Sequence, residues 1–468
     1  MDPTLPFMSA LELRDAYAAR SLSPVEAAEA ILARIGRLNP ALVAYITVTG
    51  DVALDQARVA ERAWMAGDAG PLSGVPISIK DLTPTRGIRT TRGSLVDPDW
   101  MPDYDAPFVE RALGAGAVML GKTNTPELGW KGDSGNRIVG PTHNPWKIGR
   151  TAGGSSGGAG AAVAAGLGPL GQGSDGAGSI RIPAAFCGIY GLKPSFGLVP
   201  QYPASAVGDV SHLGPMTRTV RDAALLLDVV AGADERDRLS WSGPGGYLAA
   251  CEGGLRGWRV AWSPDLGYAR VAPDVLAACE RAARRFEDLG CIVERADPGL
   301  GDPWEIAGPL WTCAMAGVFR DRPADVHDRL DAGLRRVVER AARYSGADVF
   351  AAMQARSAYC EGMRRFMERY DLLLTPALPV TAFAAGLDEP PRDDDLDETP
   401  LDWTPFTYPF NLTGQPAASV PCGFGEDGLP VGLQIVGRWR RDDMVLRASA
   451  AFEAAAPWRH LIPAETPE

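Results

Sequence analysis

Lysine is scarce in this chain of 468 residues: of 46 basic residues only five are Lys, at 80, 122, 131, 147 and 193, and the other 41 are Arg. Arg stays protonated in proteins, whereas a desolvated Lys can be neutral and act as a base. Either codon bias left a few chance lysines, or Lys is kept where a removable charge is needed. Long apolar runs are missing too. No stretch of some eighteen apolar residues occurs, so nothing is expected to span a membrane. The first twenty residues carry Asp2, Glu12, Arg14 and Asp15 and lack a basic start followed by an apolar segment, so no secretory signal is expected. The seven Cys are scattered and never form C-x-x-C, and the four His have no ligand spacing. These read as reduced, mostly buried thiols, with no disulfide frame and no metal site. Net charge is −12, which excludes a broad nucleic-acid or anionic-membrane surface. The expectation is a soluble, cytoplasmic protein with no metal or cofactor.

What is present is a sizeable core. Apolar residues make up 46% and charged residues 22%, too few for a largely disordered chain. The 54 Gly and 39 Pro cluster, which points to shaped loops. Residues 8–20 and 24–38 read as amphipathic helices. The second opens on Ser23-Pro24-Val25-Glu26, a capping box with Pro at the first helical position, and Asn39-Pro40 is read as its end. In Val75–Lys80, Ile77 and Ile79 alternate with Ser78 and Lys80, a strand pattern. A helix near 106–113 leads into a strand at 117–120, and further helices are read at 219–230 and 273–289. Strands are read at 258–262, 291–294, 371–375, 417–420 and 431–436, and a final helix from Asp442. The alternation points to an α/β sheet. Helical patterns run with breaks over 304–369, a Pro- and Asp-rich loop covers 379–405 with the charge run Arg392–Asp397, and no linker divides the chain.

The stretch from Gly140 to Pro200 is dense in Gly and Ser. It contains Gly153-Gly154-Ser155-Ser156-Gly157-Gly158 and then Asp175-Gly176-Ala177-Gly178-Ser179-Ile180-Arg181. A flexible linker has no use for the helix-forming 159–165 or for anchors such as Leu167, Leu170, Ile180 and Ile182. A phosphate loop needs Gly-Lys-Ser/Thr, which is absent. Gly153–Gly157 matches a G-x-S-x-G elbow, but that motif needs a buried strand before it, and residues 144–150 offer Pro, Gly and charge. A serine nucleophile with a lysine base remains. A Ser hydroxyl attacks only when something takes its proton. Lys80, on a strand end among apolar residues, is placed to lose its own charge, and a second Ser can relay the proton. Small residues before Ser179 leave backbone N–H groups free to converge on an oxyanion.

These segments resemble the amidase signature family. The resemblance also covers Gly74–Asp81, Gly121–Glu127, Gly140–Trp146, Pro183–Gly188, Gly191–Pro194, Gly214–Asp222, Pro409–Pro416 and Gly428–Gln434. It implies one amidase domain over residues 1–468, with a signature core at about 65–235 and a variable substrate-binding helical segment at about 300–400. The implied fold is α/β, a large mixed twisted sheet with helices on both faces. It further implies Ser179 as nucleophile, Ser155 as relay serine after a cis peptide from Gly154, and Lys80 as general base. The amides of Gly176, Ala177, Gly178 and Ser179 would form the oxyanion hole, and Ser156, Asp175 and Arg181 would brace the loop. Lys122, Lys147 and Lys193 are expected to be structural. The family usually has Gly at Ala177 and often Thr at Ser174, so Ala177 must adopt an ordinary φ.

The substrate implied is a small neutral amide-type molecule: an apolar or aryl amide, a lactam or nylon-type oligomer, or a carbamate. Gly129, Trp130, Trp311 and Cys313 are pocket candidates, each equally readable as core. The few charges near these segments argue against an ionic substrate. A glutaminase-type subunit of a tRNA-dependent amidotransferase is the alternative. Monomer and homodimer both fit the sequence.

Overall fold

The computed structural model describes residues 4–391 and 401–465; the charge run Arg392–Asp397 lies outside them. Among the described residues thirteen strands form: β1 Tyr45–Val48, β2 Pro76–Lys80, β3 Val118–Thr123, β4 His143–Asn144, β5 Lys147–Thr151, β6 Leu170–Asp175, β7 Tyr190–Lys193, β8 His212–Thr217, β9 Arg259–Trp262, β10 Ile292–Arg295, β11 Leu372–Pro376, β12 Ala417–Phe424 and β13 Pro430–Gly437. β4 and β5 pair alone. The rest make one eleven-stranded sheet in the order β1-β3-β2-β6-β8-β7-β12-β13-β11-β9-β10. β2 runs parallel to both β3 and β6, whereas β6, β8, β7, β12 and β13 are successively antiparallel, so the sheet is mixed.

Strand alternation divides the core between the two faces of the sheet. Ile77, Ile79 and Met119 pack with helices 107–114, 220–230, 273–288 and 442–455. Val118 and Leu120 point the other way, against helices 24–42, 50–66 and 157–164. Every residue of β2 is buried, so Ser78 and Lys80 face protein, not solvent. The helix Gly157–Ala164 is built of Gly, Ala and one Val and is buried throughout, which lets its backbone lie close under the sheet.

The Ser23 capping box forms as read. Pro40 does not end that helix, which runs on to Leu42. Pro40 lies in its last turn, the Asn39 side chain bridges both backbone groups of Tyr45, and Val43 closes the helix with φ +52. The helix Gly50–Ala66, which the sequence reading does not include, forms without a side-chain cap from Thr49. Among the described residues no helix is long and apolar enough to cross a membrane.

Candidate active site

Lys80 ends β2 with its side chain fully enclosed. Its Nζ lies 2.7 Å from Ser155 Oγ, 2.9 Å from Ser156 Oγ and 2.9 Å from Ser174 Oγ. Its backbone N–H donates to Gln172 Oε1 at 3.0 Å. Burial drives the amine well below its ordinary pKa, and the negative charge of Asp175 only partly restores it. Ser155 follows the cis peptide from Gly154, as the resemblance implied. β5 does precede this turn, but its first three residues are exposed, so the buried strand of a nucleophile elbow is not there.

Ser155 is held from behind by a residue that motif reading overlooked. Ser134 Oγ donates to Ser155 O at 3.2 Å and accepts from Gly157 N–H at 2.8 Å, which ties the turn to the first residue of the helix. Gly129, at φ +75, closes the other side; a Cβ there would lie 3.1 Å from Ser155 Oγ.

The loop after β6 is organised by Asp175. Its carboxylate accepts from Gly178 N–H at 2.7 Å, Ile180 N–H at 3.1 Å, Asn411 Nδ2 at 2.9 Å, and Arg181 Nε and Nη2 at 3.0 and 2.9 Å. Burial alone would raise this carboxyl; the Arg181 guanidinium reverses that and holds it well below the usual range. Arg181, itself fully buried, also donates to Thr407 O, Gln434 Oε1 and Asn411 Oδ1. Thr407 Oγ1 donates to Ala177 O at 2.6 Å. His212, kept neutral by burial, sets Nδ1 2.9 Å from Val210 O and 3.2 Å from Asp175 O. Asn411 and Gln434 lie in segments the resemblance covers, but no motif rule gave either a task, and Thr407 had no signal.

The oxyanion expectation needs one correction. Gly178 N–H is committed to Asp175, so it is not free to meet a substrate oxygen. The amides of Gly176, Ala177 and Ser179 donate to no protein group among the described residues. Gly178 is still required. Its φ is +131, and a Cβ would fall 2.5 Å from Thr407 Oγ1. Ala177 is not among the positive-φ residues, in accord with the requirement set by its side chain.

Ser155, Ser174, Gly176 and Ser179 open into a cavity of about 410 Å³, walled by Leu82, Leu128, Val207, Leu213, Trp311 and Met315 among others. Of the four pocket candidates, Gly129 and Trp311 line this cavity and Trp130 and Cys313 do not. Trp311, Met315 and Val318 share one helix face, from which Cys313 is turned by about 200°. Trp130 is buried in the core, where its ring packs closely on Gly333. Lys122 and Lys193 are buried and bonded to loop oxygens: Lys122 Nζ donates to Thr83 O and Thr90 Oγ1, and Lys193 Nζ to Gln415 O. Lys147 lies exposed on β5. No group of His, Cys, Asp or Glu suited to a metal occurs among the described residues.

Comparison with known proteins shows the family. The chain is 43% identical to an acylamidase of Rhodococcus erythropolis over 99% of both chains. It is 35% identical to a glutamyl-tRNA(Gln) amidotransferase subunit of Moorella thermoacetica over 98% of both. Its fold superposes on the crystal structure of a bacterial aryl acylamidase of the amidase signature family with a TM-score of 0.92, at 32% identity and 99% coverage of each chain. With the Amidase family profile matching residues 26–446, the chain belongs to the amidase signature family and is a hydrolase of amide C–N bonds.

Proposed function

We propose that the chain hydrolyses apolar or aryl amides through an acyl-enzyme on Ser179, with Ser155 as proton relay and Lys80 as base. One observation carries the reading: a fully enclosed Lys80 amine lies 2.7 Å from Ser155 Oγ, at the floor of the apolar cavity onto which Ser179 opens. A neutral amine has two N–H donors and one lone pair, and Lys80 Nζ has three hydroxyl neighbours. Ser156 Oγ donates to Ser174 O at 3.1 Å, so it accepts from Lys80. That leaves the lone pair for Ser155 or Ser174. With Ser155 donating, Lys80 draws its proton, Ser155 takes the proton of Ser179, and Ser179 Oγ bonds to the amide carbon. The oxyanion is received by the amides of Gly176, Ala177 and Ser179. The C–N bond breaks as the relay returns a proton to the leaving amine, and water then releases the acid by the same relay.

The apolar walls and the 43% identity to an acylamidase support acyl or aryl amides. The lower identity to an amidotransferase component supports a glutaminase-type role less well. Seven free cysteines support a reducing, cytoplasmic setting. The test is product release from an anilide, a primary aliphatic amide, linear and cyclic aminohexanoate dimers, an aryl carbamate and glutamine, with wild type beside Ser179→Ala. Anilide turnover that is lost in the variant is expected. Turnover of glutamine alone, or only with a partner protein, would replace this reading with the amidotransferase one.

A further inference from the structure

Among the described residues that line the cavity over Ser179, one carries a charge, Arg92. Arg92 has φ +57, a conformation that costs a non-glycine residue on the order of 1 kcal/mol. Two backbone hydrogen bonds hold it there: its N–H donates to Asp81 O at 3.1 Å, and its carbonyl accepts from Leu128 N–H at 2.8 Å. Asp81 follows Lys80 and Leu128 precedes Gly129, so the segments that build the site also place Arg92.

Its guanidinium is under-used. It lies 4.4 Å from the centroid of the Trp100 ring. Among the described residues its one ion-pair contact is Asp97, 3.9 Å away and closer to Arg322, at 3.0 Å. Two guanidinium groups thus share one carboxylate, and among the described residues no side-chain hydrogen bond runs from Arg92 to a protein group, although a guanidinium offers five N–H donors. The Arg92 side chain is 33% exposed, and those of Asp97 and Arg322 beside it 39% and 45%, whereas Ser179 is buried, so this charge lies on the solvent side of the cavity relative to Ser179.

Resting on the proposed amidase reading, we infer that Arg92 is a carboxylate subsite, and that the substrate is an amide whose end remote from the scissile bond carries a carboxylate. The planar fork of Arg matches a carboxylate in a way a point charge does not. Asp97 keeps Arg322 when the substrate takes its place beside Arg92. This reverses the expectation from sequence of a non-ionic substrate, which had no means of bringing residue 92 to the cavity.

The test compares kcat/KM for two matched pairs in wild type, Arg92→Gln and Arg92→Lys: an acetanilide with a ring carboxylate against one with a ring methyl, and glutaranilate against valeranilide. In at least one pair the ratio of anionic to neutral substrate is expected to fall about tenfold in Arg92→Gln, mainly through KM, and to recover in part in Arg92→Lys. In wild type that ratio should also fall as salt is raised. Equal ratios in wild type and Arg92→Gln for both pairs, or loss of both members of each pair by the same factor, would overturn the subsite. Turnover surviving in Ser179→Ala would instead overturn the reading on which it rests.

Discussion

Four of the five lysines in this arginine-rich chain are buried, and only Lys147 lies on the surface. Burial lowers Lys80 and Lys193 well below the ordinary value and Lys122 to about 8, whereas Lys131, also enclosed, is held charged by Asp133 and Asp388. Three of the five lysines thus sit where burial disfavours the charge, a placement that composition hinted at but could not assign to a position. Lys80→Arg should abolish turnover and destabilise the fold, because a guanidinium stays protonated in a site that excludes charge. Lys80→Met should fold and lose at least about 10³-fold in kcat, measured on an anilide. In wild type the rate should fall toward low pH as Lys80 takes up its proton, and a flat acid limb would contradict a lysine base. Gly178→Ala should cost about 1–3 kcal/mol in denaturant unfolding, from its φ and its approach to Thr407. The motif residues of the site were legible one by one. Ser134, Thr407 and Asn411 were not, because hydroxyls and amides at such separations carry no periodic or spacing signal.

At the level of elements, the alternation in β2 placed Lys80 opposite Ile77 and Ile79, and the structure agrees. Alternation could not say that both faces are buried, since that depends on helices distant in the chain. Ser134 joins two such distant pieces. Ser134→Ala leaves the buried Gly157 N–H without its acceptor and should cost about 1–3 kcal/mol in stability, with a loss of kcat larger than any change in KM. A second element-level effect concerns helix packing. Glu453 accepts from Val220 N–H at the start of helix 220–230, and Asp222 in that helix accepts from Ala10 and Leu11. Burial raises Glu453 to about 7 and Asp222 to about 6. Both hold protons in the folded chain at pH values where the unfolded chain has lost them. Their contribution is thus full below the ordinary carboxylate range and is lost as pH rises through these raised values. Glu453→Gln should therefore gain in Tm relative to wild type between about pH 5 and pH 8, and a constant difference would contradict the assignment.

Across the whole molecule, one buried ion pair links distant parts of the sheet to the candidate site. Arg181 joins Asp175 at the end of β6 to Gln434 in β13, and reaches Thr407 and Asn411 from the segment between β11 and β12. Removing the cation alone strands a buried carboxylate, so Arg181→Met should cost about 3–5 kcal/mol in global unfolding and disorder the loop that carries Ser179. The long-range order of the eleven strands was beyond any local pattern; the resemblance supplied the kind of sheet but not its register. The central claim is that Ser179 carries the acyl group and Lys80 makes this possible. Its most direct test is rapid-quench mass spectrometry of the protein turning over an anilide, for wild type, Ser179→Ala and Lys80→Met. The account predicts an acyl adduct in wild type on the peptide containing Ser179, and none in either variant. An adduct on another residue, or undiminished turnover in Ser179→Ala, would contradict it.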